Sequence, residues 1–390
     1  MSDDIERSPL LLTKGLEEEV YTGTRDGEVV GMSHRVAADL PGFATEPDSR
    51  NVEFTTAPYR SYEILVDRLM TKRCRLRNYL KDQGDYTLIP GSTLSLAGSE
   101  DFQISNPQNP YYQHIRDLYG TKVVTASTHV NIGIDDAEEL LRAYRVVRTE
   151  ASIFLALSAC SPFLHGEIPG GHSMRWLVFP ETPRGAPFFR NQRQFVDWVE
   201  AQLRSKVMFN PRHLWLSIRP NGMDTPYGIT RLELRICDRL TRPRILAAVV
   251  ALLEARVWQV LEDPALDPLL HRDEQWLIET CARNEQAAAR ASLESRLVDW
   301  RSGAERDAVE WIREIAESAR EAATAHGFER WLEPIEEILA EGNLAQQWLR
   351  EIGRGKTIRE VIVGAIEELN RIDAEYHPDC PSPVEFMPVG

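Results

Sequence analysis

Residues 15–20 read Gly-Leu-Glu-Glu-Glu-Val, a pattern that predicts a β-strand with different chemistry on its two faces. Residues i and i+2 of a strand share a face, so Glu17 and Glu19 point together, whereas Glu18 points the other way and is expected to be structural. The same pattern recurs in Asn51-Val52-Glu53-Phe54-Thr55, Ser127-Thr128-His129-Val130-Asn131-Ile132 and Arg231-Leu232-Glu233-Leu234-Arg235-Ile236. One sheet face, the polar face, is therefore expected to carry carboxylates, a histidine and arginines.

Taken alone, each of these motifs has a plainer explanation. Glu17 and Glu19 fit a solvated strand edge, Glu53 fits an exposed strand position, and His129 fits a structural histidine. The alternating signs of residues 231–235 fit a cross-strand salt-bridge ladder. Carboxylates that share one face repel one another unless a positive charge lies between them, and a divalent metal ion is the simplest such charge. The joint pattern therefore favours a metal site.

The donor types on the polar face indicate which metal and which ligand. Oxygen ligands together with one imidazole suit Mg²⁺ or Mn²⁺. A neutral His129 is a sound metal ligand, and a protonated one donates to phosphate. Guanidinium groups such as those of Arg231 and Arg235 bind phosphate or carboxylate. The sequence therefore predicts an ATP site on a sheet face.

The overall composition is that of a water-soluble globular protein. The chain has 390 residues, 43% of them hydrophobic, and a mean hydropathy of −0.35. Acidic residues outnumber basic ones by 60 to 45, giving a formal charge of −15. This charge argues against a nucleic-acid partner, because phosphate backbones require a basic surface. No apolar run approaches the roughly 20 residues of a membrane span, so no membrane partner is expected.

The N-terminus and the cysteines point to the cytoplasm. Met1-Ser2-Asp3-Asp4 is acidic and is not followed by the apolar core of a secretory signal. The five cysteines are scattered, without a Cys-x-x-Cys pair. An odd count in a chain of this length favours a reducing compartment over a disulfide framework, with a regulatory disulfide as the alternative.

Composition divides the chain into three parts. Residues 1–243 mix strands and helices irregularly, which predicts an α+β catalytic layer with a curved, mostly antiparallel sheet, covering helices on one side and an open polar face. Residues 244–376 are rich in Ala, Glu, Arg and Leu and predict a helical region packed on that layer. Residues 377–390 contain four prolines and predict an irregular tail.

Several local patterns complete this picture. Helices are predicted at residues 61–81, with Ser61 as the cap, at residues 136–158, and after Thr357. Residues 103–112 predict an ordered loop. Residues 160–187 are rich in Gly and Pro, and a long irregular segment of this kind is often functional. We expect it to cover the site.

The strand motifs resemble those of the glutamate–cysteine ligase family, within the carboxylate–amine ligase group whose active-site layout is related to that of glutamine synthetase. The resemblance rests on residues 15–19, Glu46 with residues 52–55, residues 128–131 and residues 231–235, in the family's order. It covers roughly residues 10–240. The chain length and helical C-terminal part are similar to those of the shorter bacterial ligases, including the cyanobacterial type.

The resemblance implies a fold and a reaction. A glutamine-synthetase-like, curved antiparallel sheet would form a funnel, with ATP and several Mg²⁺ ions on its inner face. The γ-carboxylate of L-glutamate would take the γ-phosphoryl group of ATP, and the amine of L-cysteine would attack the acyl phosphate. The products would be γ-glutamylcysteine, ADP and phosphate, in the first step of glutathione synthesis.

The resemblance also implies residue roles. The metal ligands would be Glu17, Glu19, Glu46, Glu53, His129 and Glu233. Arg235 matches an arginine at the transferred phosphoryl group, and His129 also lies near the γ-phosphate, so both are candidate catalytic residues. Arg175 is the candidate for the glutamate α-carboxylate, with a loose local match. Arg231 and Asn131 are further candidates for substrate binding.

Two alternatives remain open at this point. One is a related ligase that joins glutamate to another amine. The other is a non-catalytic, nucleotide-binding relative that keeps the fold. Loss of metal ligands would be the simplest sign of the second alternative, and the intact acidic set argues against it.

Overall fold

A central antiparallel sheet organises the computed structural model, which describes residues 11–377. The strands of this sheet are β1 (Lys14–Gly23), β2 (Phe43–Thr45), β3 (Asn51–Thr55), β4 (Thr87–Ile89), β5 (Thr128–Gly133), β6 (Ile218–Asn221) and β7 (Arg231–Leu234). Their order is β2-β3-β1-β5-β7-β6, and β4 pairs with the end of β1. The sheet has two edges, β2 and β6, so it is open, and the predicted α+β class with an antiparallel sheet is confirmed.

Helices surround this sheet. They are α1 (Ser33–Asp39), α2 (Tyr62–Gly84), α3 (Pro110–Tyr119), α4 (Ala137–Ser158), α5 (Met174–Val178), α6 (Gln192–Arg204), α7 (Pro243–Glu262), α8 (Glu274–Ala291), α9 (Ala308–Ala325), α10 (Pro334–Glu341), α11 (Leu344–Gly353) and α12 (Ile358–Tyr376). A small hairpin, β8 (Arg296–Val298) with β9 (Glu305–Asp307), lies between α8 and α9 and was not predicted. No helix within residues 11–377 is long and apolar enough to cross a membrane.

The predicted helix starts are confirmed. Ser61 accepts a hydrogen bond from the backbone N–H of Ile64 at the start of α2, and Asp136 caps α4. Thr357 forms a capping box at the start of α12. The predicted loop at 103–112 ends earlier than expected, because Asn109 caps α3 and Pro110 fits its first position.

Strand register places the polar side chains on one face. Glu19 lies opposite Glu53, Glu17 lies opposite His129, and Glu233 lies opposite Asn131. The other face is apolar and buried, with α2 packed on β1 and α4 packed on β6 and β7. Because this buried face fixes the register, the polar residues cannot slip to the core side without exposing the core.

The helices after residue 243 share the core of the sheet layer. Buried side chains of α7, α8 and α9 belong to the same hydrophobic cluster as those of β1, β5 and α4. The division at residue 243 stays a prediction. The predicted Pro-rich tail lies outside the described residues, except for His377.

Candidate active site

Glu17, Glu19 and His129 form the centre of the polar face. Each contributes one possible ligand atom, and these atoms lie within 4.8 Å of one another. His129 Nδ1 lies 2.6 Å from Glu17 Oε1, and His129 Nε2 lies 3.9 Å from Glu19 Oε1. Two carboxylates and one imidazole from adjacent strands are a suitable donor set for a divalent cation.

Ser127 orients the imidazole of His129. Its hydroxyl donates to Glu19 Oε2 at 2.6 Å and lies 2.8 Å from His129 Nε2. Ser127 therefore lies between Glu19 and one nitrogen of the imidazole, while the other nitrogen, Nδ1, faces Glu17. Burial favours the neutral carboxyl group of Glu17, but His129 outweighs this effect and lowers the pKa of Glu17.

Glu46 and Glu53 bring two further carboxyl groups to the same face. Glu46 follows β2, and its side chain is hydrogen-bonded to that of Glu53 on β3. Burial and then repulsion by Glu17 raise the pKa of Glu53 to about 7. Burial and then Glu53 raise the pKa of Glu46 well above its usual range. Carboxyl groups forced together in this way are typical of functional sites.

Glu233 is held between two arginines. Its Oε2 accepts from Arg219 Nε at 2.7 Å, and its Oε1 accepts from Arg235 Nη1 at 2.5 Å and from Arg219 Nη2 at 3.2 Å. Burial opposes the ionised form, but Arg219 and then Arg235 keep the pKa of Glu233 well below its usual range. Glu233 therefore anchors the arginines of the face. Its predicted role as a metal ligand stays a prediction.

Arg235 lies just beyond the end of β7 and reaches the imidazole. Its Nη1 is 3.4 Å from His129 Nδ1. Burial opposes its charge, but Glu233, Glu17 and Glu19 outweigh burial and raise the pKa of Arg235. The guanidinium therefore stays charged beside the carboxylate cluster, where it can meet an anionic ligand.

Arg219 was missed by the sequence reasoning. It belongs to Ser217-Ile218-Arg219-Pro220-Asn221, which has the same alternation as the four motifs. Asn221 also donates to Glu233 from this strand. Pro220 obscured the signal, since proline is usually excluded from sheets. It is tolerated here because β6 is an edge strand.

Two predicted substrate-binding residues are bonded to each other. Arg231 Nε donates to Asn131 Oδ1 at 3.0 Å across the β5–β7 pair. Both side chains are half-buried at the end of the polar face beyond Glu233. Their predicted contact with substrate stays a prediction.

Arg175 contacts the backbone beside the catalytic candidates. It is buried, and its Nη2 and Nη1 donate to the carbonyl oxygens of Arg235 and Ile236 at 2.9 and 3.0 Å. Asp238, which accepts from Ser161 and Ser173, lies 3.9 Å from Arg175 Nη1. This network fixes the Gly/Pro-rich segment against the end of β7. The predicted contact of Arg175 with glutamate stays a prediction.

Aromatic side chains that the sequence reasoning missed border the polar face. The ring of Tyr111 packs against Phe209, with centroids 5.5 Å apart, and against His213 at 6.0 Å. Burial and then the charge of Glu46 raise the pKa of the Tyr111 hydroxyl, which places this rim beside the carboxylates. Phe209 keeps 47% of its surface exposed there.

The same architecture occurs in solved ligase structures. The glutamate–cysteine ligase of Francisella tularensis, in complex with AMP, superposes with a TM-score of 0.74 at 14% identity, over 96% of this chain and 91% of that one. A bifunctional glutathione synthetase from Pasteurella multocida gives a TM-score of 0.73 at 16% identity, over 94% of this chain and 52% of that one. The fold is therefore shared with these ligases, and together with the family match over residues 13–371 it defines the class as carboxylate–amine ligases.

Sequence comparison narrows this class. The sequence model of Glutamate-cysteine ligase family 2 matches residues 13–371, so the chain belongs to that family. A protein of Solibacter usitatus named "Putative glutamate--cysteine ligase 2" is 28% identical over 376 residues, which are 92% of this chain and 93% of that protein. A protein of Rubrobacter xylanophilus named "Putative glutamate--cysteine ligase 2-1" is 27% identical over 359 residues, which are 87% of this chain and 90% of that protein.

Proposed function

We propose that the chain is an ATP-dependent glutamate–cysteine ligase. It joins the γ-carboxylate of L-glutamate to the amine of L-cysteine through γ-glutamyl phosphate, and it releases γ-glutamylcysteine, ADP and phosphate. The observation that carries the proposal is the cross-strand cluster of Glu17, Glu19 and His129 beside Arg235. Family membership supports it. We further propose that the reaction serves glutathione synthesis in the cytoplasm.

The carboxylate cluster fits a magnesium or manganese ion. Glu17, Glu19 and His129 would hold it, with Glu46 and Glu53 as further ligands. Burial, and after it the negative charge of neighbouring carboxylates, raises the pKa values of Glu46 and Glu53. When bound, such an ion neutralises the phosphates of ATP, so that an anionic carboxylate can approach them.

The protein's own groups then complete the site. The guanidinium of Arg235 stabilises negative charge on the phosphoryl group as it moves from ATP to glutamate. Glu233 and Arg219 hold that guanidinium in place. The segment at 160–187, fixed near Arg175, excludes water from the acyl phosphate, which would otherwise hydrolyse.

A turnover assay tests this proposal. The full-length protein with ATP, Mg²⁺ and L-glutamate is given a panel of amines, and ADP release is followed. We expect L-cysteine to give the highest kcat/KM. We expect Glu53→Gln to lower kcat by about 100-fold or more, because a charged ligand of the phosphate-neutralising ion is lost.

A matched control separates this effect from a general loss of charge. Glu63 is an exposed glutamate at the start of α2, and Glu63→Gln is expected to leave kcat unchanged. If another amine gave a higher kcat/KM than L-cysteine, that amine would be assigned as the acceptor. Equal turnover of wild type and Glu53→Gln would contradict the site assignment.

The role of Arg175 is tested by Arg175→Lys. Because both Nη atoms donate to the backbone at Arg235 and Ile236, we expect the variant to lower kcat about tenfold or more with a smaller change in KM for glutamate. The measurement is steady-state ADP release at varied glutamate. A rise in KM for glutamate at constant kcat would instead support direct contact with the glutamate α-carboxylate.

A further inference from the structure

A cavity lies outside the polar face. Its volume is about 170 Å³, and it lies between α8 and the segment 176–185. The rings of Trp176 and Phe179 stack at 16° with centroids 6.5 Å apart and form an aromatic wall. This volume is below the roughly 300–1,000 Å³ of pockets for drug-sized ligands, so the cavity suits a small molecule.

Arg148 supplies a buried cation to this cavity. It is 6% exposed, and its guanidinium lies over the ring of Phe188 at 4.4 Å from the centroid, which fixes its plane. Its Nη1 donates to the Tyr144 hydroxyl at 3.0 Å and to the Pro187 carbonyl at 2.9 Å. Within residues 11–377, Nε and Nη2 have no hydrogen-bond partner, so two donors are free for a ligand.

Two carboxyl groups line the same cavity. Burial raises the pKa of Glu285 to about 7, although Ser217 and Trp176 favour the charged form. The second carboxyl group, that of Glu181, belongs to an exposed residue. Both attract Arg148, yet among the described side chains neither forms an ion pair with it within 4.0 Å. Arg148 and the two glutamates therefore line the same cavity without forming an ion pair with one another.

We propose that this cavity binds a small zwitterionic α-amino acid. Its carboxylate pairs with the free donors of Arg148, since a guanidinium matches carboxylate geometry. Its ammonium group lies between Glu181 and Glu285. Its side chain packs on the aromatic wall of Trp176 and Phe179. Such a ligand would contact the guanidinium of Arg148 and the carboxyl groups of Glu181 and Glu285 at the same time.

The cavity shares its wall with the backbone of the catalytic candidates. The carbonyl oxygen of Ser217, a lining residue, accepts from the backbone N–H groups of Arg235 and Ile236 at 2.8 and 3.0 Å. Trp176 directly follows Arg175, which donates to the Arg235 carbonyl. The bound amino acid is therefore an effector that acts through the backbone of Arg235, an assignment that rests on the proposed function.

Calorimetric titration of the full-length protein tests the binding, with and without ATP and Mg²⁺. The probes are L-cysteine and L-alanine, with N-acetyl-L-alanine and L-alaninamide as analogues that each lack one charge. We expect a zwitterion to bind and each analogue to bind at least about tenfold more weakly. Equal binding of the analogues, or no binding of either amino acid, would overturn the inference.

Two cavity variants and one control locate the site. Glu285→Gln and Arg148→Lys are expected to weaken binding at least about tenfold. Glu279→Gln on the exposed side of α8 is expected to leave it unchanged. If Arg148→Lys fails to fold, Glu285→Gln alone decides, because Glu285 is only half-buried in the structure. Unchanged binding in a folded Glu285→Gln protein would refute the assignment.

The ADP-release assay tests the effector role. We expect Glu285→Gln to keep the acceptor KM and to remove the effect of added L-alanine on kcat. A rise of about tenfold or more in the acceptor KM at similar kcat would overturn the effector role. Cysteine-dependent ADP release without binding at the cavity overturns this inference alone. Binding at the cavity without any ADP release overturns the proposed function alone.

Discussion

Replacing Glu233 by glutamine is expected to lower kcat by about 10²–10³-fold, the range seen when one preorganised electrostatic contact to a transition state is lost. The buried carboxylate of Glu233 accepts from both Arg219 and Arg235. Glutamine keeps the size of the side chain but removes its charge, and its amide nitrogen would face a guanidinium. Arg235 would then lose its orientation beside His129.

The measurement is ADP release at saturating ATP, glutamate and acceptor. Glu233→Asp keeps the charge on a shorter side chain, so we expect it to retain more activity than Glu233→Gln. Breaking a buried ion pair also destabilises a fold, so both variants are assayed well below their unfolding temperatures, with circular dichroism as a check. A folded Glu233→Gln protein with at least half the wild-type kcat would contradict this role for Glu233.

The strands and much of the polar face were predictable from the sequence. Alternation of apolar and polar residues indicates a strand and also shows which side chains share its polar face. Each strand buries one face, so its sequence fixes where the other side chains point. Glu17, Glu19 and His129 come together as expected. The pairing of Glu19 with Glu53 also follows from two such strands lying side by side in the sheet.

Other features depend on contacts between distant segments and leave no periodic signal. The alternation of residues 231–235 placed Arg235 beside Glu233, but Pro220 hid the second guanidinium, that of Arg219. The backbone contacts of Arg175 depend on how the segment after Cys160 folds back onto residues 235–238. The amino-acid cavity collects side chains from four segments, which sequence spacing does not bring together.

Glu18 lies on the face of β1 opposite the polar face, and its buried ion pairs concern the stability of the fold. It points away from the polar face, as expected, and is fully buried. Its Oε1 lies 3.6 Å from Arg73 Nη1 and 3.4 Å from Arg239 Nη2, and both arginines are also fully buried. Arg73 further pairs with Asp373 on α12 at 2.6 Å. Glu18 therefore links the central strand to α2 and, through Arg73, to the last helix.

We expect Glu18→Gln to lower the free energy of unfolding by about 3–5 kcal/mol, because the buried guanidinium of Arg239 loses the carboxylate of Glu18 and that of Arg73 keeps only Asp373. Glutamine preserves side-chain volume, so a cavity does not account for the loss. The measurement is the urea midpoint at constant slope. Glu28→Gln is the matched control: Glu28 pairs with Arg359 on α12 at the surface, where such a pair contributes about 0–1 kcal/mol. Equal midpoints for the two variants would mean that the buried arginines do not depend on Glu18.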